Sequence, residues 1–324
     1  MSRDELAERL EAIRRETLPL PGEGATAERL RRLFELGRED LTLAKLAEAH
    51  FDALAILAEA GREAAAGKLY AVWASEIPGR ALDFSTRDAG YCIDGAKAFC
   101  SGAGLVERAL ITVAGGLLVE VDLEANAGRL EIDVSGWTTE AFRLTNTAAI
   151  TFLGVEVGRD AVLGEPGWYV ERPGFWHGAC GPAACWAGGV AGLLSFARAS
   201  RRDDPHTLAH CAAMDANMWG MQALMEVAGR EIDAAPSDIR AAQVRALRLR
   251  HLVEQACTET LQRFARAYGP YPISLEAETA RRYREADLYL RQCHGERDLE
   301  SLGRLLRVLP DGPTTRGAGV RTPF

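Results

Sequence analysis

Lysine is almost missing from this 324-residue chain: Lys45, Lys68 and Lys97 are the three lysines among 38 basic residues, and the other 35 are arginines. Acidic residues number 46, which sets the formal net charge at −8. A nucleic-acid partner would require a basic field to meet phosphate, and this balance argues against one. C-x-x-C pairs are absent as well. The seven cysteines, at 92, 100, 180, 185, 211, 257 and 293, form an odd set, which predicts reduced thiols in a cytoplasm rather than a disulfide framework. No apolar run suggests a membrane span, and the opening MSRDELAERLEAIRRE is acidic and amphipathic, unlike a secretory signal. The absence of G-x-S-x-G removes the simplest serine-hydrolase reading. His206 and His210 stand four residues apart without the glutamate of an H-E-x-x-H motif, so no metal is expected. GEGATA at 22–27 follows no strand and is not a dinucleotide fingerprint.

What is present is a change of period along the chain. Residues 1–66 read as an N-terminal helical domain, opened by a Ser2/Glu5 capping box and interrupted at Pro19 and Pro21, with a second helical region from about 25 to 60. Residues 67–170 carry short β-prone runs, among them LYAVWA, RALITVAGGLLVEVDL and AAITFLGVEV. Asp94-Gly95 and Ala114-Gly115-Gly116 both read as hairpin turns, so this part is expected to be an antiparallel β domain, barrel or sandwich. From 171 to 308 the helical period returns. Ala242, Ala246, Leu249, Val253, Ala256, Thr260, Phe264 and Ala267 form one face of a long helix that Gly269-Pro270 closes, and further helices predict an antiparallel bundle. The tail from 309 to 324 is turn-rich without periodicity and is expected to be mobile. The fold class is therefore α+β, with helices, then a β domain, then a helical bundle.

The stretch Asp94 to Gly104, DGAKAFCSGAG, does not suit a strand buried only in protein, because Ser101 and its glycines sit where apolar residues would pack. Followed by ALITV, it resembles the acyl-CoA dehydrogenase family, whose middle domain carries a G-x-K-x-(W/F)-(I/C)-(S/T)-(N/G)-(G/A) strand ending at the flavin. ELGREDLTLA at 35–44, TFLGVEVGRDAVLGEPG at 151–167, GACGPAACWAGGVAGLL at 178–194 and AYGPYPISLEAETARRYREADLY at 267–289 are similar to other family segments, in the same order. The resemblance covers roughly residues 30 to 307. It implies FAD as cofactor, with Phe99 against the isoalloxazine, Ser101 bonding its edge by hydroxyl or amide, and Gly102 leaving room for the ring. Ser75, Glu76 and Pro78 would be imperfect counterparts of a second flavin-contacting segment. Arg201 and Arg202 lie near the family's pyrophosphate-binding arginine, which crosses a subunit interface, so a homodimer or homotetramer is implied. The family pattern further implies an acyl thioester substrate, on CoA or a carrier protein, and an electron-transfer acceptor.

The sequence departs from that pattern in its short N-terminal helical domain and in its catalytic base. α,β-Dehydrogenation of an acyl thioester needs a carboxylate raised in pKa by desolvation. At the two positions where the family places that glutamate, the gap-free correspondence finds Cys293 and Gly174. Three readings remain open. Glu296 could be the base in a reshaped loop, or the flavin could activate oxygen for hydroxylation or N-oxidation with His177 or His294 handling protons. In the third, the fold is kept without catalysis, as an acyl-CoA or acyl-carrier-binding protein.

Overall fold

The computed structural model describes residues 1–75 and 81–308 of the chain. Three helices come first: α1 (Arg3–Ile13), α2 (Thr26–Glu39) and α3 (Leu41–Glu59). Ser2 Oγ accepts from the Glu5 amide and Glu5 accepts from the Ser2 amide, so the capping box forms. The helical region from 25 to 60 is split at Asp40, whose extended backbone ends α2 and whose carboxylate caps α3 through the amides of Thr42 (2.8 Å) and Leu43 (3.1 Å).

Among the described residues eight strands follow: β1 (Tyr70–Trp73), β2 (Asp83–Arg87), β3 (Gly90–Cys100), β4 (Arg108–Val113), β5 (Leu117–Asp122), β6 (Leu130–Asp133), β7 (Ala148–Gly158) and β8 (Val162–Leu163). They form two four-stranded sheets, ordered β1-β4-β5-β8 and β2-β3-β7-β6. Alternation along each strand builds the sandwich. Ile111, Val119 and Val121 of the first sheet meet Ile93, Ile150 and Phe152 of the second. On the other face of the first sheet, Leu110 and Leu118 pack under Ala53, Ile56 and Leu57 of α3. The first sheet thus lies between the second sheet and a helix.

One expectation about this domain needs correction. Asp94-Gly95 is not a hairpin turn. It lies inside β3, where the register against β7 shifts between Ile93 and Gly95 and Gly95 takes φ 115°, while Asp94 Oδ1 accepts from the Gly154 amide at 2.7 Å. A bulge needs the same left-handed tolerance as a turn, so the dipeptide alone does not separate them. The domain is antiparallel as expected, with one parallel pair among the described residues, β1 with β4. The chain leaves the first sheet after β1, builds β2 and β3 in the second and returns, which supplies the long crossover a parallel pair requires.

The last part is helical: α4 (Trp168–Glu171), α5 (Pro173–Gly178), α6 (Cys180–Ala199), α7 (Pro205–Ala234), α8 (Ile239–Tyr268), α9 (Pro270–Leu275), α10 (Ala277–Leu290) and α11 (Glu296–Val308). Helix α6 runs through the main core, with Trp186, Val190 and Leu193 buried against Leu33, Phe34 and Leu36 of α2. A Cβ at Gly188 would run into the Phe34 carbonyl oxygen, so glycine permits the α2–α6 approach. The sequence reading expected no run able to span a membrane, yet the segment Pro173–Ala199 is long and apolar enough by length and composition, with 72% of its apolar window buried inside the protein. All seven cysteines are free thiols. Pro78 and Glu76, read as flavin contacts, and the tail 309–324 lie outside the described residues.

One buried polar cluster joins the layers. Glu285 of α10 accepts from Thr42 Oγ1 at 3.0 Å and from the Phe142 amide at 3.3 Å, while Arg281 bridges Glu285 (3.0 Å) and Asp40 (2.5 Å). Burial pushes the Glu285 carboxyl up, opposed by Arg281. Replacing Glu285 by alanine should therefore destabilise the protein by about 3–5 kcal/mol, the range for breaking a buried ion pair. Chemical denaturation checks this, and a loss below about 1 kcal/mol would show that the cluster does not hold the layers together.

Candidate active site

Where α3 lies beside the first sheet, α4, α5, α8 and α10 close over it and leave a cleft of about 840 Å³. That volume suits a cofactor and a small molecule. One wall comes from the β layer, with Trp73, Ser75, Phe99, Ser101 and Thr147. A second comes from α3, with Lys45, Leu46, Glu48 and Asp52. Tyr169, Arg172, Phe175 and Trp176 form a third, and Arg250, Tyr289 and His294 complete the bundle side.

The β wall is shaped by the end of β3. A second register shift falls between Lys97 and Cys100, and Phe99 there takes φ 59°. A phenylalanine at positive φ is an outlier costing about 1–3 kcal/mol. It leaves the ring 59% exposed, facing the cleft instead of a core. Trp73 Nε1 donates to the Ser101 carbonyl at 2.9 Å, fixing the backbone beside it. The Ser101 hydroxyl is 2.8 Å from Thr147 Oγ1, which is 2.8 Å from Thr145 Oγ1. The Ser101 amide is already used on the Phe99 carbonyl at 3.0 Å, so the hydroxyl is the group left for a ligand. An unpacked aromatic face beside a positioned hydroxyl fits a flat heteroaromatic ring with polar edges, and a flavin meets that description.

The α3 wall holds residues that the sequence reading did not single out. Lys45, Glu48 and Asp52 are spaced i, i+3 and i+7, which puts them on one face of the helix. Burial pushes the Glu48 carboxyl up to about 8, with Asp52 adding to the effect. Asp52 is raised by burial too. The Lys45 ammonium is lowered to about 8 by burial and lies 4.9 Å from the Tyr289 ring centre and 5.6 Å from that of Phe142. Each is half-buried, since it faces the cleft rather than bulk water. Among the described residues, none of the three forms a hydrogen bond or ion pair. Gly178 brings α5 against this wall, because a Cβ there would collide with the Asp52 carboxylate.

The neighbouring arginines are committed elsewhere. Arg172 pairs with Glu59 and lies 5.2 Å and 5.3 Å from the Trp168 and Tyr169 ring centres. Arg250 donates to the carbonyls of Ala179 (3.0 Å) and Gln292 (2.9 Å) and stacks over Trp186 at 4.9 Å. Arg29 donates to the carbonyls of Pro19 (3.2 Å) and Phe51 (2.9 Å).

Of the residues singled out from sequence, Ser75, Phe99, Ser101 and His294 come together in the cleft. His294 stands at its mouth, with Nδ1 3.4 Å from Asp298. Gly102 lies behind the wall, its amide donating to the Thr145 carbonyl at 2.7 Å. His177 is buried outside the lining. Its Nε2 donates to the Pro236 carbonyl at 2.9 Å, and burial lowers its pKa. Glu296 starts α11, exposed and outside the lining. Arg201 and Arg202 follow α6, also outside the lining, and Arg202 donates to the Ala267 carbonyl at 2.7 Å. Neither Gly174 nor half-buried Cys293 supplies a carboxylate; the acid that lines the cleft near Cys293 is Asp298 of α11, which lies 3.9 Å from Arg250 and 3.4 Å from His294.

No family model matches the sequence, and no curated protein matches it either. Solved structures do match in three dimensions. KijD3, in complex with FMN and dTDP-3-amino-2,3,6-trideoxy-4-keto-3-methyl-D-glucose, gives a TM-score of 0.78 at 16% identity, covering 95% of this chain and 91% of that one. A nitrososynthase from Micromonospora carbonacea var. africana gives 0.76 at 15% identity, over 94% and 89%. The dibenzothiophene monooxygenase TdsC from Paenibacillus sp. A11-2 gives 0.71 at 18% identity, over 94% and 95%. At these identities the likeness establishes the fold, which is acyl-CoA dehydrogenase-like.

Glu48 yields a pH test. Its folded-state pKa of about 8 lies above the ordinary 4.5, so between those values the native protein keeps a proton that the unfolded chain releases. Stability must therefore fall as pH rises through that window. Glu48→Gln cannot titrate and should gain stability relative to the wild type from about pH 5 to about pH 8. Urea midpoints of both proteins check this, and a difference that ignores pH would mean that Glu48 is not protonated in the fold.

Proposed function

We propose that this protein binds a flavin in the cleft and uses it to oxygenate a small organic molecule, as a flavin-dependent monooxygenase rather than an acyl-CoA dehydrogenase. One observation carries the choice. The cleft offers a bare aromatic face and hydroxyl at Phe99 and Ser101 together with Lys45, Glu48 and Asp52, which form no hydrogen bond or ion pair among the described residues, while both usual positions of the thioester base lack a carboxylate. Glu296, the candidate base from sequence, faces solvent, and Asp298, which does line the cleft, is engaged by Arg250 and His294. Similar structures support the change of chemistry: TdsC is a monooxygenase found with FMN and indole, and KijD3 is found with FMN and an amino sugar nucleotide. FMN therefore joins FAD as the cofactor to test.

A bound flavin supplies two-electron redox chemistry and oxygen activation. The chain's part is to bind, orient and move protons. Phe99 would cover one face of the ring, and the Ser101 hydroxyl, oriented by Thr147, would bond its edge. Ser75 lines the same wall. Tyr169, Phe175 and Trp176 keep bulk water from the substrate. Glu48, with a pKa of about 8, holds a proton on its carboxyl near neutrality, and Lys45 Nζ changes charge in the same range. Groups poised there exchange protons with a substrate heteroatom efficiently. His294 at the mouth is a further proton carrier.

The purified protein should keep a flavin spectrum after loading with FMN or FAD and removal of the excess. Phe99→Ala and Ser101→Ala should each weaken flavin binding by about tenfold, or about 1.4 kcal/mol. With reduced flavin supplied, oxygen uptake should depend on substrate. Anaerobic bleaching by acyl-CoA would return the protein to dehydrogenation. Failure of the folded protein to hold either flavin would favour the non-catalytic binding protein.

A further inference from the structure

We propose that the cleft recognises a small organic cation, a protonated amine, held by Glu48 and Asp52 against the aromatic wall of Tyr169, Phe175 and Trp176. The inference deepens the flavin reading by naming a substrate class. It rests on that reading only in treating the bound molecule as a substrate.

The carboxylates carry the argument. Once ionised, as Glu48 is above about pH 8, a carboxylate only accepts hydrogen bonds. Glu48 and Asp52 have no donor among the described residues, yet both line an open cleft. Leaving such groups unmet is costly, so a ligand that brings N–H donors and positive charge gains what the protein withholds. The protein's own cations do not fill the role. Arg29 and Arg250 donate to backbone carbonyls and Arg172 to Glu59. Lys45 faces Tyr289 at 4.9 Å.

The aromatic wall fits the same ligand. Tyr169 and Phe175 meet edge to face at 5.3 Å, and Phe175 and Trp176 at 5.2 Å. Electron-rich faces of this kind attract a desolvated ammonium. Asp52 and Glu48 lie close enough to Tyr169 that, after burial itself, Asp52 is the largest influence holding the phenol protonated. Carboxylates and rings line the same cleft.

The binding should depend on pH. Glu48 is faced by Lys45 and Asp52 on α3, by Arg29 on α2 and by Arg250 on α8. Cys185 of α6, Tyr289 of α10 and Tyr169 of α4 complete its surroundings, and all three are kept protonated by burial. Raising the pH towards 8 and beyond frees the Glu48 proton and removes charge from Lys45, and both changes favour a cationic ligand.

The test is calorimetric titration of the flavin-loaded protein with cyclohexylamine, cyclohexanol and cyclohexanecarboxylate at about pH 6.5 and about pH 8.5. The amine should bind at least tenfold tighter than the alcohol at the higher pH, with a smaller advantage at the lower. Glu48→Gln and Asp52→Asn should each erase that advantage while keeping the wild-type flavin spectrum. Should one variant fail to fold, the other variant and the wild-type pH dependence still decide. Flavin retained with no preference for the amine overturns the cation site and leaves the flavin reading standing, as does tighter binding of the carboxylate. A preference for the amine in protein that holds no flavin supports the cation site and overturns the flavin reading.

Discussion

The shape of the cleft depends on a buried knot of charge. Asp40 ends α2, caps α3 and accepts from Arg281; Arg281 also holds Glu285, which takes the Thr42 hydroxyl and the Phe142 amide. Three separate parts of the chain meet there: the α2–α3 junction, the loop before β7, and α10. Because Asp40 and Thr42 stand at the very start of α3, the knot fixes that helix in position and in rotation. Lys45, Glu48 and Asp52 then follow by helical geometry onto the face turned toward the cleft. The same knot sets Phe142 and Tyr289 edge to face at 5.4 Å, which is the aromatic pair under the Lys45 ammonium.

Much of the architecture is legible in the sequence because its periods are clean. The succession of helices, strands and helices follows from period alone, and the Ser2/Glu5 cap and the Ala114-Gly115-Gly116 turn form where local chemistry puts them. What escapes is set by distant partners. Asp94-Gly95 becomes a bulge because β7 runs opposite both sides of it, and β1 finds β4 in parallel only after the chain has crossed to the other sheet and back. The flavin-like wall at Phe99 and Ser101 is legible as a motif. The strain that exposes the Phe99 ring is not, since it comes from the register of β3 against β7.

The α3 wall escapes for another reason. Charged residues at i, i+3 and i+7 usually mark the solvated side of an amphipathic helix. Here α4 and α5 cover that side, and only the fold can show it. A signal was nonetheless present: one of the three lysines in the whole chain falls on the same face as two carboxylates, in a helix whose remaining residues are mostly apolar.

That wall also separates two kinds of chemistry. Removing a proton from carbon beside a thioester calls for one carboxylate fixed against one C–H bond, since the geometry of transfer must be exact enough to compete with a slow reaction. A heteroatom exchanges its proton readily and needs instead a charge environment that stabilises one protonation state and releases it on demand. Two carboxylates that share a low-dielectric wall with a lysine, all shifted toward neutrality by burial, form an environment of the second kind. Burying them with no hydrogen-bond or ion-pair partner among the described residues lowers the stability of the fold, and an apolar helix face would have packed there without that penalty. Strain at Phe99 and buried titratable groups on α3 line one cleft, which is where local rules of stability give way to the demands of a site.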